Sequence, residues 1–338
     1  MDLRRVRAGR GTNLALLLVV ALAILTGALA FAIGSGWAWW AVAAHGVAGI
    51  ALVLLAPWKA AISARGLRKR RQGSTASVAL ATLVVVAVAS GVAHAVGIWT
   101  GTLAMQVHVG SALLTVPLVV WHVVARPVRP RRTDLSRRSL FRGAALAGGS
   151  LATLGALEGI VRLAGLPGSE RRFTGSYEEG SFDPGSMPIT QWLDDDVPAI
   201  DIDTWRLEVR RPDAVRVWTY GELSGFEDDL RATLDCTGGW FAEQDWSGAR
   251  LDRLLEAGGD VRSVLAVSAT GYARRFPIAD APRILVATRV AGEPLSAGHG
   301  FPVRLVAPGR RGFWWVKWVV RIETSATPWW WQSPFPLT

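Results

Sequence analysis

The apolar residues of this 338-residue chain are concentrated in its first half, where they form four long segments. The segments span residues 13–33, 37–55, 76–98 and 103–125. Each is close to the roughly 20 residues that a helix needs to cross ~30 Å of hydrocarbon. The pattern therefore predicts an all-α transmembrane bundle of four helices over residues 1–126, embedded in a lipid bilayer, with a water-soluble region after it.

Positively charged residues divide the connections between these segments into two classes. The connections before the first segment, between the second and third, and after the fourth contain 17 Lys and Arg residues, and the other two contain none. Cytoplasmic loops carry the excess of Lys and Arg, so the N-terminus is predicted to be cytoplasmic. The residues that carry this prediction include Arg4, Arg5, Arg65, Arg68, Lys69, Arg70, Arg71, Arg131 and Arg132.

The basic surplus is confined to the membrane half of the chain. The formal net charge is +10, but residues 163–338 contain 19 Lys and Arg against 24 Asp and Glu, a net of −5. A nucleic-acid-binding protein would carry its basic patch on the water-soluble part. The charge therefore marks membrane topology, and no nucleic-acid partner is expected. No internal repeat is evident in the sequence.

A fifth, weaker apolar segment covers residues 139–163 and is rich in Gly and Ala. It is preceded by residues 136–142, SRRSLFR, which resemble a twin-arginine translocation signal. An ordinary basic cytoplasmic flank is the alternative interpretation. No convincing cleavage site follows, so residues 127–168 are predicted to be a linker and a fifth, anchoring helix. The protein is then a multi-pass protein of the bacterial cytoplasmic membrane, with the rest of the chain on the extracytoplasmic side.

Four of the five histidines lie in the apolar segments, where ionisable side chains are costly and indicate function. The predicted topology places His45, His94 and His108 at similar depth in the outer half. Two imidazoles from neighbouring helices at one depth can ligate the iron of haem b, so any two of the three are candidate ligands. Quinone binding, or helix histidines without a cofactor, are the alternatives. His122 lies roughly four helical turns beyond His108, on the same helix face, but has no second histidine at its depth.

Residues 169–325 are predicted to form a mixed α/β, β-rich domain, and residues 326–338 a Trp-rich tail that packs over the domain or reaches the membrane interface. Strand-length runs occur at 205–209, 215–220, 264–268, 284–288, 303–306 and 314–323, and a short helix is predicted over 251–257. The sequence contains no phosphate-binding loop or dinucleotide fingerprint. His299 is the only histidine of this half and has no nucleophile elbow beside it, which argues against a hydrolase.

Two blocks of this domain carry a specific resemblance. The first is residues 233–240, TLDCTGGW, and the second is residues 298–309, GHGFPVRLVAPG, continuing through residues 312–318, GFWWVKW. In order, separation and local sequence they resemble the molybdopterin domain of the sulfite oxidase family, which includes the catalytic subunit of periplasmic methionine sulfoxide reductases. The resemblance covers roughly residues 172–323 and implies a sulfite-oxidase-like fold with a molybdenum–molybdopterin cofactor.

The resemblance also implies that Cys236 is the catalytic metal ligand. A soft thiolate suits a molybdenum that already carries two pterin sulfurs. Cys236 is the chain's only cysteine, so an internal disulfide, an iron–sulfur cluster and a multi-thiolate zinc site are excluded.

The family's contacts with the pterin and its phosphate carry over to five residues of the second block: His299, Arg304, Trp315, Val316 and Lys317. Cationic Arg304 and Lys317 can meet a buried phosphate, although a surface ion pair and a solvated strand residue are their alternatives. Tyr177 and Glu178 resemble an early cofactor-contact motif of the methionine sulfoxide reductase branch.

Four arginines could shape an anion pocket for the substrate, although paired arginines are also typical of solvated faces: Arg274, Arg275, Arg310 and Arg311. Tyr272 is a further candidate near the metal. The resemblance stops near residue 323, without the additional dimerisation domain of sulfite oxidases, which favours the reductase-like branch.

Together these features predict a membrane-anchored molybdenum-cofactor oxidoreductase. It would transfer an oxygen atom on an S-oxide such as methionine sulfoxide, an N-oxide or an oxyanion, and exchange electrons with the membrane quinone pool or another carrier through a haem. The alternatives are a sulfite-oxidase-like dehydrogenase working in the oxidative direction, a molybdoenzyme without haem that a soluble partner serves, and a non-catalytic membrane electron carrier or assembly protein.

Overall fold

The computed structural model describes residues 9–68, 74–192, 195–255 and 261–336. Five of the basic residues used to predict topology, Arg4, Arg5, Lys69, Arg70 and Arg71, lie outside the described residues. The chain divides into two compact units. The helical unit comprises Met1–Phe31 and Gly36–Tyr177, and the sheet unit comprises Ala32–Ser35 and Glu178–Thr338.

The helical unit is built from five long helices: α1 (Arg10–Ala32), α2 (Trp39–Arg68), α3 (Ser74–Val96), α4 (Gly101–Ala125) and α5 (Arg137–Leu163). All five are long and apolar enough to cross a membrane. Large apolar side chains on these helices are exposed, among them Val85 at 65% and Leu113 at 65%, as expected of surfaces that face lipid. The five predicted helical segments are therefore confirmed as helices.

Packing within the helical unit is strongest between α3 and α4 and between α2 and α5. Val19 of α1 packs with Ala48 and Ala51 of α2, and Leu146 of α5 covers this cluster. Small residues at these positions allow the helix backbones to approach closely. Ser136 caps the N-terminus of α5, because its hydroxyl accepts a hydrogen bond from the Ser139 N–H.

The described residues of the sheet unit form two sheets and two short helices. The first sheet has β1 (Tyr177–Glu178), β5 (Trp240–Arg250), β8 (Leu285–Val290) and β10 (Arg304–Val306) in that order, with β4 (Asp228–Asp235) beside β5 and β9 (Glu293–Pro294) beside β8. The second has the order β3 (Val215–Trp218), β2 (Leu207–Arg210), β11 (Val319–Ser325), β6 (Ser263–Ser268) and β7 (Ala273–Pro277). Strands β11 and β2 are parallel. The short helices are α6 (Tyr220–Ser224) and α7 (Leu251–Leu255).

The mixed, β-rich fold predicted for this unit is confirmed, with two differences. The prediction of one strand over 314–323 is wrong at its start, because Gly312–Trp314 form a 3-10 turn and β11 begins at Val319. Strands β4 and β5 were not predicted, since their charged residues obscure the apolar pattern. Those charges lie on an exposed face, where Arg231 pairs across the strands with Asp245 at 2.7 Å.

Candidate functional site

Cys236 occupies the turn between the antiparallel strands β4 and β5. The pairing of the two strands ends at Asp235 opposite Phe241, and the Cys236 N–H then donates to the Trp240 carbonyl at 2.9 Å. The Cys236 Sγ accepts a hydrogen bond from the Gly238 N–H at 3.3 Å and lies 3.3 Å from the Thr190 hydroxyl. The side chain is half-buried. A sulfur that receives N–H and O–H donors is suited to the thiolate form.

A buried ion pair fixes this turn. The Arg311 guanidinium donates to the Asp235 carboxylate at 2.5 Å and to the Cys236 carbonyl at 3.0 Å. Both paired side chains are only 3% exposed. By sequence Arg311 was a candidate for an anion pocket, but its side chain is committed to the loop that carries the cysteine. No motif signals this pair, because its members are 76 residues apart.

Lys317 binds the segment that contains Thr190 and Gln191. Its Nζ donates to the carbonyls of Thr190 at 2.9 Å and Gly298 at 2.6 Å, and to the Gln191 Oε1 at 3.1 Å. Burial, and then the charge of Arg304, lower the pKa of Lys317 to about 7. The solvated strand residue considered as its alternative is therefore wrong.

Arg304 is 1% exposed and lies against the rings of Trp246 and Trp315. One terminal nitrogen donates to the His299 carbonyl at 3.1 Å, and the buried Nε has no partner among the described residues. Burial lowers the pKa of Arg304 to about 9.

In the described part of the chain no carboxylate forms a salt bridge with Arg304 or Lys317. The Asp195 carboxylate acts on Lys317 without contacting it and partly opposes the lowering of its pKa. Two buried cations that no carboxylate contacts are costly unless an anion binds beside them.

His299 is neutral and holds neighbouring segments together. Its Nε2 donates to the Met187 carbonyl at 3.1 Å, and the Ser296 hydroxyl lies 2.9 Å from its Nδ1. Burial, followed by the charges of Arg304 and Lys317, lowers the pKa of His299 to about 4. Both ring nitrogens therefore bind protein groups, so His299 positions the Met187 segment and contributes the carbonyl that Arg304 binds.

These residues fit the phosphate and metal of a molybdopterin cofactor. The Thr190 hydroxyl lies 3.3 Å from the Cys236 Sγ and the Thr190 carbonyl accepts from the Lys317 Nζ at 2.9 Å, so one residue joins the thiol to a buried cation. Arg304 and Lys317 flank Gly300, where an added Cβ would lie 3.0 Å and 3.2 Å from their Cβ atoms. Two cations that no carboxylate contacts suit a phosphate, and a thiol beside an N–H and a hydroxyl suits a metal ligand. The unpartnered Arg304 Nε is the donor still available to an anion.

Trp315 and Val316 belong to the interior of the unit. The Trp315 Nε1 donates to the Arg310 carbonyl at 3.3 Å, and its ring packs against Trp246 with centroids 5.7 Å apart. Val316 is fully buried and its carbonyl accepts from the Leu305 N–H at 2.8 Å. They hold Lys317 in place through the backbone.

Tyr177 and Glu178 make local contacts. The Tyr177 hydroxyl donates to the His94 carbonyl, and its ring lies 5.1 Å from the His94 ring. The Glu178 carboxylate accepts from the Ser181 N–H at 2.7 Å. The cofactor contact that the resemblance implies for these two residues stays a prediction.

The other three arginines proposed for an anion pocket are also engaged within the protein. Arg274 is 2% exposed and stacks on Phe313 and Trp314, Arg310 pairs with Asp280 at 2.7 Å, and Arg275 donates to the Ser263 hydroxyl. The Tyr272 hydroxyl donates to the Phe313 carbonyl.

The Trp-rich tail packs on the sheet unit. The Gln332 amide donates to the Arg275 carbonyl at 2.7 Å, and Trp329 lies against Trp314. Trp330 and Trp331 are 62% and 71% exposed.

Comparison with known proteins supports the same conclusion. Residues 194–332 match the family model of the oxidoreductase molybdopterin binding domain. This part of the chain is therefore similar to molybdopterin-binding oxidoreductase domains. Mitochondrial sulfite oxidase from Rattus norvegicus is 30% identical over 167 residues, which cover 38% of this chain and 31% of that protein. The NAD(P)H nitrate reductase from Hordeum vulgare is 28% identical over 170 residues, which cover 38% of this chain and 19% of that protein.

A solved structure, the sulfane dehydrogenase SoxCD from Paracoccus pantotrophus, is 26% identical and covers 39% of this chain and 40% of that chain, with a TM-score of 0.36. The chain spans less than a third of the length of the rat and barley proteins. The matched region contains Cys236, Arg304 and Lys317, so the site described above belongs to the molybdopterin domain.

The helical unit brings together two of the three histidines that were predicted to lie at similar depth. The rings of His45 and His108 lie with centroids 5.8 Å apart and planes at 87°. The third, His94, is turned away: its Nε2 donates to the Gly175 carbonyl at 2.9 Å.

His45 and His108 have matching surroundings. The His45 Nδ1 donates to the Ala23 carbonyl of α1 at 2.9 Å, and the His108 Nδ1 donates to the Ala87 carbonyl of α3 at 2.8 Å. One helical turn after each alanine stands a glycine, Gly27 or Gly91. A Cβ atom there would lie 3.0 Å or 2.8 Å from the Cε1 of the facing imidazole.

A carbonyl bond at Nδ1 is the usual support of a metal-bound histidine, because it fixes the tautomer that leaves Nε2 for the metal. In the described part of the chain neither Nε2 has a protein partner. The pair therefore fits the axial ligation of a haem iron.

These matched positions indicate a correspondence between two halves of the helical unit that is not evident from the sequence alone. Helices α1 and α2 correspond to α3 and α4. In α2, Trp58 follows His45 at the same separation at which Trp121 follows His108 in α4. The remaining residues differ enough to conceal the repeat in the sequence.

Proposed function

We propose that this chain is a membrane-anchored molybdenum-cofactor oxidoreductase whose metal ligand is Cys236. The observation that carries the proposal is the arrangement of one thiol and two buried cations around two short segments. The Thr190 hydroxyl lies 3.3 Å from the Cys236 Sγ, the Thr190 carbonyl accepts from the Lys317 Nζ at 2.9 Å, and Arg304 and Lys317 flank Gly300. Neither cation forms a salt bridge with a carboxylate of the described residues. A ligand that brings both a soft metal and a phosphate satisfies all three groups.

Each residue has a defined task in this proposal. Cys236 ligates the metal, while the Gly238 N–H and the Thr190 hydroxyl stabilise the thiolate. Arg304 and Lys317 bind the phosphate of the pterin. The bound cofactor supplies the oxygen-atom transfer, and the protein supplies ligation, orientation and charge.

The helical unit anchors the enzyme and serves its electron supply in this proposal. Five helices of membrane-spanning length support the anchor. The facing pair of His45 and His108 supports a b-type haem in the outer half of the membrane. We place the molybdopterin domain on the extracytoplasmic side, from the distribution of Lys and Arg and the twin-arginine-like residues 136–142. Electrons would be exchanged with the membrane quinone pool.

Metal analysis of the purified full-length protein tests the proposal. We expect molybdenum and pterin in near-equimolar amount in the wild type and a loss of molybdenum in Cys236→Ala. Thr204→Ala is the matched control, because among the described residues its hydroxyl bonds only to Asp201, on the surface of the same unit. Wild-type protein without molybdenum would contradict the enzyme and favour a non-catalytic electron carrier.

The direction of turnover separates two candidate functions. We favour reduction of an S-oxide such as methionine sulfoxide, an N-oxide or an oxyanion, because a membrane electron supply on the same chain suits a reductase. Oxidation is the second candidate, supported by the similarity to sulfite oxidase over 38% of this chain. Turnover of sulfite with an electron acceptor, together with no turnover of methionine sulfoxide with a reduced donor, would select the oxidative direction.

A further inference from the structure

Two segments outside the β4–β5 turn contact the proposed metal ligand. The Thr190 hydroxyl lies 3.3 Å from the Cys236 Sγ. Gly312 packs on the backbone of the turn, since a Cβ atom added there would lie 3.2 Å from the Cys236 Cα. The surroundings of the thiol therefore depend on how firmly the Thr190 and Gly312 segments are held.

Each of these segments continues to an aromatic residue. Trp192 lies two residues after Thr190, and Phe313 follows Gly312 directly. The two rings pack with their centroids 5.7 Å apart. The Tyr272 hydroxyl donates to the Phe313 carbonyl, and the Tyr272 ring lies 6.5 Å from the Trp192 ring. The two segments that contact the cysteine are thus joined to each other through aromatic side chains.

Two consecutive residues of the Trp-rich tail bind this aromatic pair. The Pro336 carbonyl accepts a hydrogen bond from the Trp192 Nε1 at 3.2 Å, and Pro336 is buried. The Phe335 ring packs on the Phe313 ring with centroids 5.9 Å apart. The tail therefore makes one contact with each of the two segments, and these are called the two tail contacts below.

The tail is itself fixed to the second sheet. Strand β7 is the last strand in the order of that sheet, and its Arg275 exchanges two hydrogen bonds with the Gln332 side chain, at 3.0 Å and 2.7 Å. The Gln332 amide takes the place of a neighbouring strand at this edge. The Arg274 guanidinium donates to the Ser333 carbonyl at 3.1 Å. The tail can therefore transmit the rigidity of the sheet to the residues that it contacts.

We propose that Phe335 and Pro336 are positioning residues for the metal ligand Cys236. They act through Trp192 and Phe313, and neither is assigned a contact with the cofactor or the substrate. Residues that hold a ligand from outside the coordination shell orient it and tune the metal. The inference rests on the proposed function, in which Cys236 ligates molybdenum.

Alkylation of the full-length protein by iodoacetamide tests the two tail contacts. Cys236 is the only cysteine of the chain, so labelling reports on this site alone. Protein produced without molybdopterin is used, because a bound metal would compete for the thiol. We expect labelling to be about fivefold faster in Trp192→Phe, which keeps a ring and loses the donor to Pro336, because losing one hydrogen bond increases local opening by about this factor. Phe335→Ala should label at least as fast.

Two variants are matched controls. Trp331→Ala removes a ring of the same tail that is 71% exposed, and Phe335→Tyr retains the ring at the tail contact. Both should label at the wild-type rate. Faster labelling of Trp192→Phe at an unchanged Tm separates a local change from global destabilisation. Wild-type rates in both Trp192→Phe and Phe335→Ala would overturn the proposal, and so would equal acceleration in Trp331→Ala.

Preparations that contain the cofactor keep the two proposals separable. The Mo(V) EPR spectrum of the reduced protein depends on the orientation of the thiolate ligand, so it should shift in Phe335→Ala and not in Trp331→Ala. An unchanged spectrum in Phe335→Ala would overturn the positioning role. Wild-type protein without molybdenum would contradict the proposed function, while the labelling rates would still decide whether the tail holds the cysteine.

Discussion

Arg311 binds Asp235 in a buried ion pair, 2.5 Å from nitrogen to oxygen, directly beside the cysteine proposed as the metal ligand. The second terminal nitrogen of Arg311 binds the Cys236 carbonyl. One side chain therefore holds both the residue before the cysteine and the cysteine itself. The pair fixes the direction in which the thiol leaves the β4–β5 turn.

Removing Arg311 should destabilise the molybdopterin domain severely. In Arg311→Met the Asp235 carboxylate stays buried without its partner, which costs about 3–5 kcal/mol. Thermal unfolding of the purified protein should show a lower Tm than the wild type, together with reduced molybdenum content. The double variant with Asp235→Asn removes the buried charge and should recover much of the Tm. Equal Tm values for the single variant and the wild type would show that the pair carries no stability.

The stability of the cofactor-free protein should depend on pH through Lys317. The pKa of Lys317 is about 7 in the folded protein, well below its usual value of 10.5, so between these values the unfolded chain binds the extra proton. Raising the pH from 7 to 9 therefore favours the folded state. Protein produced without molybdopterin should show a Tm that rises over this interval more than the Tm of Lys317→Met. Parallel pH profiles would contradict this assignment.

The haem is expected to depend on two histidines and not on the third. His45→Leu and His108→Leu each remove one of the two proposed iron ligands and should abolish the haem spectrum. His94→Leu removes a bond to the Gly175 carbonyl and should leave the haem in place. Visible absorption spectra and haem content per protein provide the measurement. A spectrum lost only in His94→Leu would overturn the pairing.

The correspondence between the two halves of the helical unit predicts a gain of function at Lys59. Lys59→His gives α2 two histidines at the same separation that His108 and His122 have in α4. We expect the haem content to rise from one towards two per protein. Arg65→Gln should leave the haem content at one. An unchanged haem content in Lys59→His would show that positions 59 and 122 do not face each other as His45 and His108 do.

Much of the architecture follows from periodicity and composition. The five long helices were predictable because a membrane-spanning helix needs a long apolar segment, which stands out in any sequence. Strands β4 and β5 were not predictable, because their charged side chains interrupt the apolar pattern. These side chains face solvent in cross-strand pairs such as Arg231 with Asp245. Trp314 was misplaced in a strand because a Trp-rich run has high β propensity whether or not its backbone is extended.

The candidate site was predictable only where a family motif marked it. Cys236, Arg304 and Lys317 lie in such motifs. The contribution of Arg311 depends on a buried contact with a residue far away in sequence, which no local pattern indicates. The choice of His45 and His108 over His94 likewise depends on where carbonyl groups lie in three dimensions. Ala23 and Ala87, which accept their hydrogen bonds, are ordinary alanines in sequence.

The three carbonyl and amide oxygens around Lys317 have a further consequence. They hold the ammonium group in place with neutral acceptors, so the receptor for the cofactor is organised before any anion arrives. The cofactor then binds to a preorganised site, and the domain folds before the cofactor is present. Supply of the cofactor, and not folding of the chain, would set how much active enzyme a cell contains.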